Sequence, residues 1–178
     1  NMKKEIKFSL VYRDMWQSSG KYVPRKDQLE TIAPVIIEMG CFDRVETNGG
    51  ASEQVNLLYG ENPNASVRAF TSALHKGGIQ THMLDRALNA LRMNPVPADV
   101  RRLMYKVKKA QGVDITRIFC GLNDVRNIIP SIEWANEAGM ISQAAMSITY
   151  SQVHTAEYYI DMAEKLIEAG AKEIALKD

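Results

Sequence analysis

Short apolar runs alternate along the chain with longer stretches in which apolar residues recur every three or four positions. The first pattern is typical of buried β-strands and the second of amphipathic helices. It predicts strands over residues 7–13, 44–47, 79–84, 115–120, 142–149 and 173–177. It predicts helices over residues 25–39, 64–76, 97–111, 125–138 and 155–169. The regular alternation indicates repeated βα units and therefore a parallel sheet.

Residues at the predicted helix ends support these boundaries. Pro97 suits a first helical position, because its missing N–H is not needed there. Thr155 is a good N-terminal cap, and Glu157 adds a favourable negative charge. Glycines that could form left-handed C-terminal caps follow the helical patterns at Gly40, Gly77, Gly112, Gly139 and Gly170.

The order of elements favours a TIM barrel, a closed (β/α)8 fold. An open doubly wound sheet is the alternative, but the first strand-to-helix turn lacks a glycine-rich phosphate loop. A barrel needs eight strands, whereas the pattern yields six, so the first and last strands would remain as open edges. We therefore expect residues 1–178 to be the amino-terminal part of one barrel domain, with strands 7 and 8 missing.

Composition narrows the classes of function. The 178 residues are 46% hydrophobic, which suits one globular domain. The net charge is +1 without a basic stripe, which argues against nucleic-acid binding. No apolar run is long enough for a membrane span and no signal peptide is visible. The two cysteines suit a reducing compartment, so a cytoplasmic location is expected.

Two residues at predicted strand ends are the main candidates for chemistry. Barrel enzymes assemble their sites at the carboxyl ends of strands. Asp14 could be a metal ligand, a general base or a structural cap. Lys177 could be a surface lysine, or an inward lysine with a partner or a lowered pKa. A neutral lysine can also add carbon dioxide to form a carbamate, an oxygen ligand for a divalent cation.

Other polar residues receive structural interpretations. His75, His82 and His154 match no metal-ligand spacing and are interpreted as structural or surface residues. Cys120 is expected to be a small buried residue rather than a nucleophile, because no histidine is adjacent in sequence. A basic cluster on the third predicted helix is expected to form a solvated face: Arg101, Arg102, Lys106, Lys108 and Lys109.

Several motifs resemble the carboxyltransferase domain of biotin-dependent carboxylases. That family includes pyruvate carboxylase, the transcarboxylase keto-acid subunit and the oxaloacetate decarboxylase alpha subunit. Residues 13–18 resemble its Arg-Asp-x-His-Gln-Ser opening, and residues 46–51 its glycine-glycine-alanine turn. Arg86 and Asn89 match an Arg-Gly-x-Asn segment after strand three. Further matches run through residues 117–127, 153–159 and 176–178.

The resemblance implies a site for a divalent metal and a keto acid. Asp14 would be a metal ligand and Lys177, as a carbamate, a second one. Two histidines of a His-x-His pair would complete the set from beyond Asp178. Gln17 and Arg86 would hold the carboxylate or carbonyl of the keto acid. Zinc, manganese and cobalt all suit such ligands.

The implied reaction moves a carboxyl group between carboxybiotin and pyruvate or oxaloacetate, through an enolate that the metal stabilises. Biotin would arrive on a carrier domain outside this chain. A homo-oligomer is expected, and contact with a membrane only through a partner subunit. The isolated chain is expected to be inactive, because two of the four metal ligands would be missing.

Four positions depart from the family pattern. Trp16 replaces a histidine, Cys120 an aspartate and Met93 a tyrosine. Gln54 falls near an aspartate thought to contact the biotin site. The biotin half is therefore expected to be altered and the keto-acid half intact. Two alternatives stay open: an acyl-CoA lyase or synthase barrel of the hydroxymethylglutaryl-CoA lyase type, and a structural subunit that has lost turnover.

Overall fold

The computed structural model describes residues 5–19 and 23–178, except for the side chains of residues 17, 51, 54 and 55. The strands in this part are β1 Phe8–Leu10, β2 Phe42–Gly49, β3 Gln80–Asp85, β4 Ile115–Ile118, β5 Ile141–Ser147 and β6 Glu173–Lys177. The α-helices are α1 Lys26–Met39, α2 Gly50–Leu58, α3 Pro63–His75, α4 Ala98–Ala110, α5 Val125–Glu137 and α6 Ala156–Glu168. Short 3-10 helices span Arg13–Ser18 and Ala87–Asn89.

The described strands form one parallel sheet in chain order, from β1 to β6. A doubly wound sheet would instead reverse its strand order at a switch point. Sequential order is the arrangement of a βα barrel, so the prediction of a partial barrel with six strands is confirmed.

An ion pair across the sheet shows how strongly it curls. Arg44 on β2 donates to both carboxylate oxygens of Glu173 on β6, at 2.8 and 2.7 Å. Three strands lie between β2 and β6, which would separate them by about 19 Å in a flat sheet. Two side chains cannot bridge that distance, so the sheet must be bent into a trough with this pair inside it.

Opposite faces of the sheet have opposite polarity. Outward-facing residues such as Val45, Met83 and Ile118 are buried against the helices in two apolar clusters. The concave face instead carries hydrogen-bonded polar side chains: Ser9, Arg44, Glu46, Gln80, His82, Arg117, Gln143 and Glu173. The helices therefore stabilise the sheet from outside, and the polar interior is left to position the site. No helix among the described residues has the length and apolar character needed to cross a membrane.

The structure corrects several predicted boundaries. Strand β1 ends at Leu10, and a 3-10 helix occupies residues that the pattern assigned to the strand and its loop. Helix α2 was not predicted, because it begins directly at Gly50, where the paired glycines suggested a turn. Pro97 precedes α4 as its N-cap residue. Thr155 does cap α6, accepting a hydrogen bond from the Tyr158 amide.

One predicted glycine cap is wrong. Gly40, Gly112, Gly139 and Gly170 have positive φ angles as expected. After α3, however, the left-handed residue is Gly78, with φ of 72°, rather than Gly77. A Cβ on Gly77 would lie 2.5 Å from Ile37, so this glycine is needed for the close approach of α1.

The prediction of a solvated basic face on α4 is wrong for two of its five residues. Arg101 is buried and donates to Ser131 Oγ at 2.7 Å and to the Asn127 carbonyl at 3.1 Å, both on α5. Lys108 is buried against α2, with its Nζ 2.6 Å from Glu53 Oε1. Helix α4 is packed on both flanks, which its own amphipathic pattern does not reveal.

Candidate active site

The carboxyl ends of the parallel strands meet at one rim of the trough. Arg13 and Asp14 follow β1, Gly49 and Gly50 join β2 to α2, Arg86 and Phe119 follow β3 and β4, and Lys177 ends β6. By their elements, all the site residues predicted from the sequence come to this rim. The side chains of Gln17 and Gln54 lie outside the described part of the chain; only their positions, in the first 3-10 helix and in α2, are known.

Arg13 links the interior of the trough to the rim. Its guanidinium is 1% exposed and donates from Nε to Glu46 Oε1 at 2.6 Å. Its Nη2 reaches both Glu46 and, at 2.8 Å, Asp14 Oδ1. Burial raises the pKa of Glu46, and the positive charge of Arg13 opposes that rise. Arg13 therefore holds one oxygen of the exposed Asp14 carboxylate and restricts its orientation.

The paired glycines make room for two arginines. A Cβ on Gly49 would lie 3.2 Å from Arg13 Nε. A Cβ on Gly50 would lie 2.8 Å from Arg86 Nη1 and 2.7 Å from the Leu91 carbonyl oxygen. Neither glycine has a positive φ angle, so close approach rather than backbone freedom explains them. The glycine-glycine turn thus has a packing role at the rim.

We expect Gly50→Ala to destabilise the chain by about 1–3 kcal/mol, although alanine normally favours a helix over glycine. The added Cβ would overlap the Leu91 carbonyl, which belongs to the backbone and cannot rotate away. Urea unfolding of the 178-residue chain measures the change. Gly121→Ala is the matched control, because a Cβ there meets nothing within 4 Å. Equal stability of the two variants would contradict the packing role.

Arg86 is the half-buried cation of the rim. Its Nη1 lies 3.3 Å from the Arg92 carbonyl oxygen and 3.1 Å from Met93 Sδ. Burial lowers the pKa of Arg86, and the positive charge of Arg13 lowers it further. Within the described residues, no carboxylate lies within 4.0 Å of its guanidinium. A planar guanidinium in this state is suited to an anionic ligand, above all a carboxylate.

Lys177 faces the interior of the trough. It lies four residues beyond Glu173 on the same strand, and side chains alternate between faces along a strand. Its Nζ is 4.1 Å from the centroid of the Phe119 ring, a cation–π contact. No motif assigned a role to Phe119, although alternation from the inward-facing Arg117 would have placed it on this face. Lys177 is thus an inward, half-buried lysine.

The residues present fit part of a metal site. Asp14 offers an exposed carboxylate, and Oδ2 accepts no hydrogen bond from a described residue. Lys177 becomes an oxygen donor only as a carbamate. Across the described residues there is no group of three or more histidine, cysteine, aspartate or glutamate side chains that could hold a metal ion. The chain can therefore supply two ligands at this rim, and a complete set needs others.

Two departures from the family motif have clear surroundings. Trp16 is 3% exposed and packs edge-on against Tyr12, with ring centroids 5.4 Å apart. It also contacts Phe70, so an aromatic cluster occupies this position. Cys120 is half-buried, with Asn127 Nδ2 3.6 Å from its Sγ.

His82 lies below the rim, 1% exposed, with its Nε2 2.7 Å from Ser9 Oγ. Burial lowers the pKa of His82 to about 3, with a contribution from Arg117. The ring is therefore neutral at pH 7.

Comparison with known proteins places this rim in context. No family model matches the chain. In the pyruvate carboxylase of Methanocaldococcus jannaschii, one subunit is 34% identical over 169 residues, which are 94% of this chain and 29% of that protein. The methylmalonyl-CoA carboxyltransferase 5S subunit of Propionibacterium freudenreichii subsp. shermanii is 30% identical over 171 residues, 95% of this chain and 33% of that protein.

Solved structures agree with these relatives. The carboxyl transferase domain of Rhizobium etli pyruvate carboxylase, solved with oxamate and biotin, superposes with a TM-score of 0.86 at 24% identity. The match covers 98% of this chain and 31% of that chain. The predicted resemblance to carboxyltransferase domains is confirmed. At this identity the superposition shows the carboxyltransferase fold alone, and the chain spans about three tenths of the length of the curated carboxylases that it matches.

Proposed function

We propose that residues 1–178 are the amino-terminal part of a carboxyltransferase barrel that moves a carboxyl group between carboxybiotin and pyruvate or oxaloacetate. The observation that carries this proposal is the Arg86 guanidinium, which has no carboxylate partner among the described residues and lies on the same rim as Lys177. The names of the similar structures support it, since those domains were solved with pyruvate, oxamate or biotin.

In this proposal the rim has two working parts. Arg86 and Gln17 bind the carboxylate or carbonyl of the keto acid. Asp14 and a carbamylated Lys177 hold zinc, manganese or cobalt, with two more ligands from strand 7. The metal, when bound, would polarise the ketone. Gln54 borders the biotin site, and biotin arrives on a carrier domain.

The chain's own contribution is to bind and orient. In the carboxylation direction, C3 of pyruvate loses a proton and forms a C–C bond to carbon dioxide. That carbon dioxide leaves a biotin nitrogen, which receives a proton in exchange. Arg86 neutralises the charge of pyruvate and fixes its direction, because a guanidinium forms two parallel bonds to a carboxylate. Glu46 and Arg13 keep the Asp14 carboxylate in one orientation.

A decarboxylation assay tests the proposal. We call the assembled enzyme this chain together with strands 7 and 8. We expect the assembled enzyme to decarboxylate oxaloacetate when biotin and a divalent cation are added, and the isolated 178 residues to be inactive. Turnover by the isolated chain would contradict the missing half of the site. Lack of turnover by the assembled enzyme would favour a structural subunit.

A further inference from the structure

The segment that carries Arg86 has an unusual backbone. Ala87 and Ala90 have φ angles of 46° and 51°, in the left-handed region that L-residues avoid. Both alanines are almost fully buried. In the Arg-Gly-x-Asn segment that this stretch resembles, glycine stands at the position of Ala87. The chain therefore holds alanine where glycine would be relaxed, so something else must stabilise this turn.

A buried carboxylate next to Arg86 does so. Asp85 is 0% exposed, and its Oδ1 accepts a hydrogen bond from the Ala87 amide at 3.0 Å. Its Oδ2 accepts from the Tyr105 hydroxyl at 2.5 Å and from Thr116 Oγ1 at 3.2 Å. Tyr105 lies on α4 and Thr116 on β4, so three elements converge on one carboxylate.

Asp85 cannot itself contact a ligand at the rim. It faces the helices, on the side of the sheet opposite to His82 and Leu84, and its carboxylate is sealed behind Tyr105. No lysine or arginine among the described residues comes within 4.0 Å of it. Burial raises the pKa of Asp85 to about 6, a tendency that the bonds from Tyr105 and Thr116 and the charge of Arg101 oppose. An unpaired buried carboxylate is costly, and an apolar residue would fill this place more cheaply.

We propose that Asp85 is the positioning residue for Arg86: its carboxylate holds the Ala87 amide in the left-handed turn and thereby fixes where the guanidinium enters the rim. This inference rests on the proposed function only for its kinetic consequence. Arg86 is the residue between the clamped carboxylate and the clamped amide, so its backbone has little freedom. Its own amide donates to the Ala90 carbonyl at 2.9 Å, which closes the turn.

Steady-state kinetics of the assembled enzyme test the proposal. Asp85→Leu is expected to raise KM for pyruvate about tenfold while kcat changes much less, because the turn relaxes and Arg86 is no longer aimed. Asp85→Asn is expected to retain the KM, since its amide oxygen can still accept from Ala87. Ala87→Gly, added to Asp85→Leu, is expected to restore the KM, because glycine adopts positive φ without help. A merely structural role for Asp85 would predict no rescue.

Hydrogen exchange separates this proposal from the proposed function. In the 178-residue chain, the Ala87 amide is expected to exchange about tenfold faster in Asp85→Leu than in Asp85→Asn. This result would support the clamp even if the assembled enzyme showed no affinity for pyruvate. Equal exchange in the two variants, or an unchanged KM in Asp85→Leu, would overturn it. Should Asp85→Leu not fold, Tyr105→Phe weakens the same clamp, and an unchanged Ala87 exchange rate there would overturn it too.

Discussion

Replacing Arg86 by methionine is expected to lower kcat/KM for pyruvate about 100-fold in the assembled enzyme. The guanidinium has no carboxylate partner among the described residues, so its bond to the substrate is not in competition with an internal ion pair. Arg86→Lys keeps the charge but loses the two-pronged geometry, so an intermediate loss of about tenfold is expected. Steady-state kinetics with pyruvate as the varied substrate measure both effects.

Arg92→Met is the matched control for this series. Arg92 lies on the same loop and carries the same charge, but its side chain is exposed and only its backbone carbonyl contacts Arg86. We expect it to change kcat/KM by less than about twofold. An equal loss in Arg86→Met and Arg92→Met would mean that general positive charge, rather than a specific carboxylate bond, governs substrate binding.

Replacing Lys177 by alanine is expected to abolish turnover and stoichiometric metal binding in the assembled enzyme. Lys177→Arg is expected to fail equally, because a guanidinium keeps its proton and cannot form a carbamate. Metal analysis of the purified protein measures the first loss. Carbon-13 NMR after incubation with labelled bicarbonate reports the carbamate directly, and this signal should disappear in both variants.

Lys172→Ala controls for the loss of a lysine from the same strand region. Lys172 is exposed and lies just before β6, away from the rim. It should leave metal content and the carbamate signal unchanged. Metal binding and turnover that survive in Lys177→Ala would contradict the carboxyltransferase account. They would favour the acyl-CoA lyase type of barrel, which shares the Arg-Asp after strand one but does not need a carbamate.

Local signals in the sequence were sufficient for the architecture and for the location of the rim. Apolar runs and helical periodicity are properties of neighbouring residues, so they place strand ends, and with them Asp14 and Lys177, without any tertiary information. The order of the sheet followed because βα units join neighbouring parallel strands. The comparisons then confirmed the family resemblance that the motifs had suggested.

The unpredicted features depend on distant parts of the chain. Arg44 and Glu173 are 129 residues apart and meet only because the sheet curls. Arg101 and Lys108 are buried because helices flank α4 on both sides, whereas a helical pattern shows only one apolar face. Asp85 could have been noticed as a charge inside an apolar strand, but its partners Tyr105 and Thr116 come from later elements.

Carboxyl exchange is the most direct test of the account. The assembled enzyme would be incubated with oxaloacetate labelled at the transferred carboxyl group, unlabelled pyruvate, biotin and manganese, and the label would be followed by mass spectrometry. The account predicts that label is lost from oxaloacetate in a biotin-dependent reaction, and that Lys177→Ala abolishes this loss. Biotin-independent loss of label, or equal loss in Lys177→Ala, would contradict the proposal that this rim is a carboxyltransferase site.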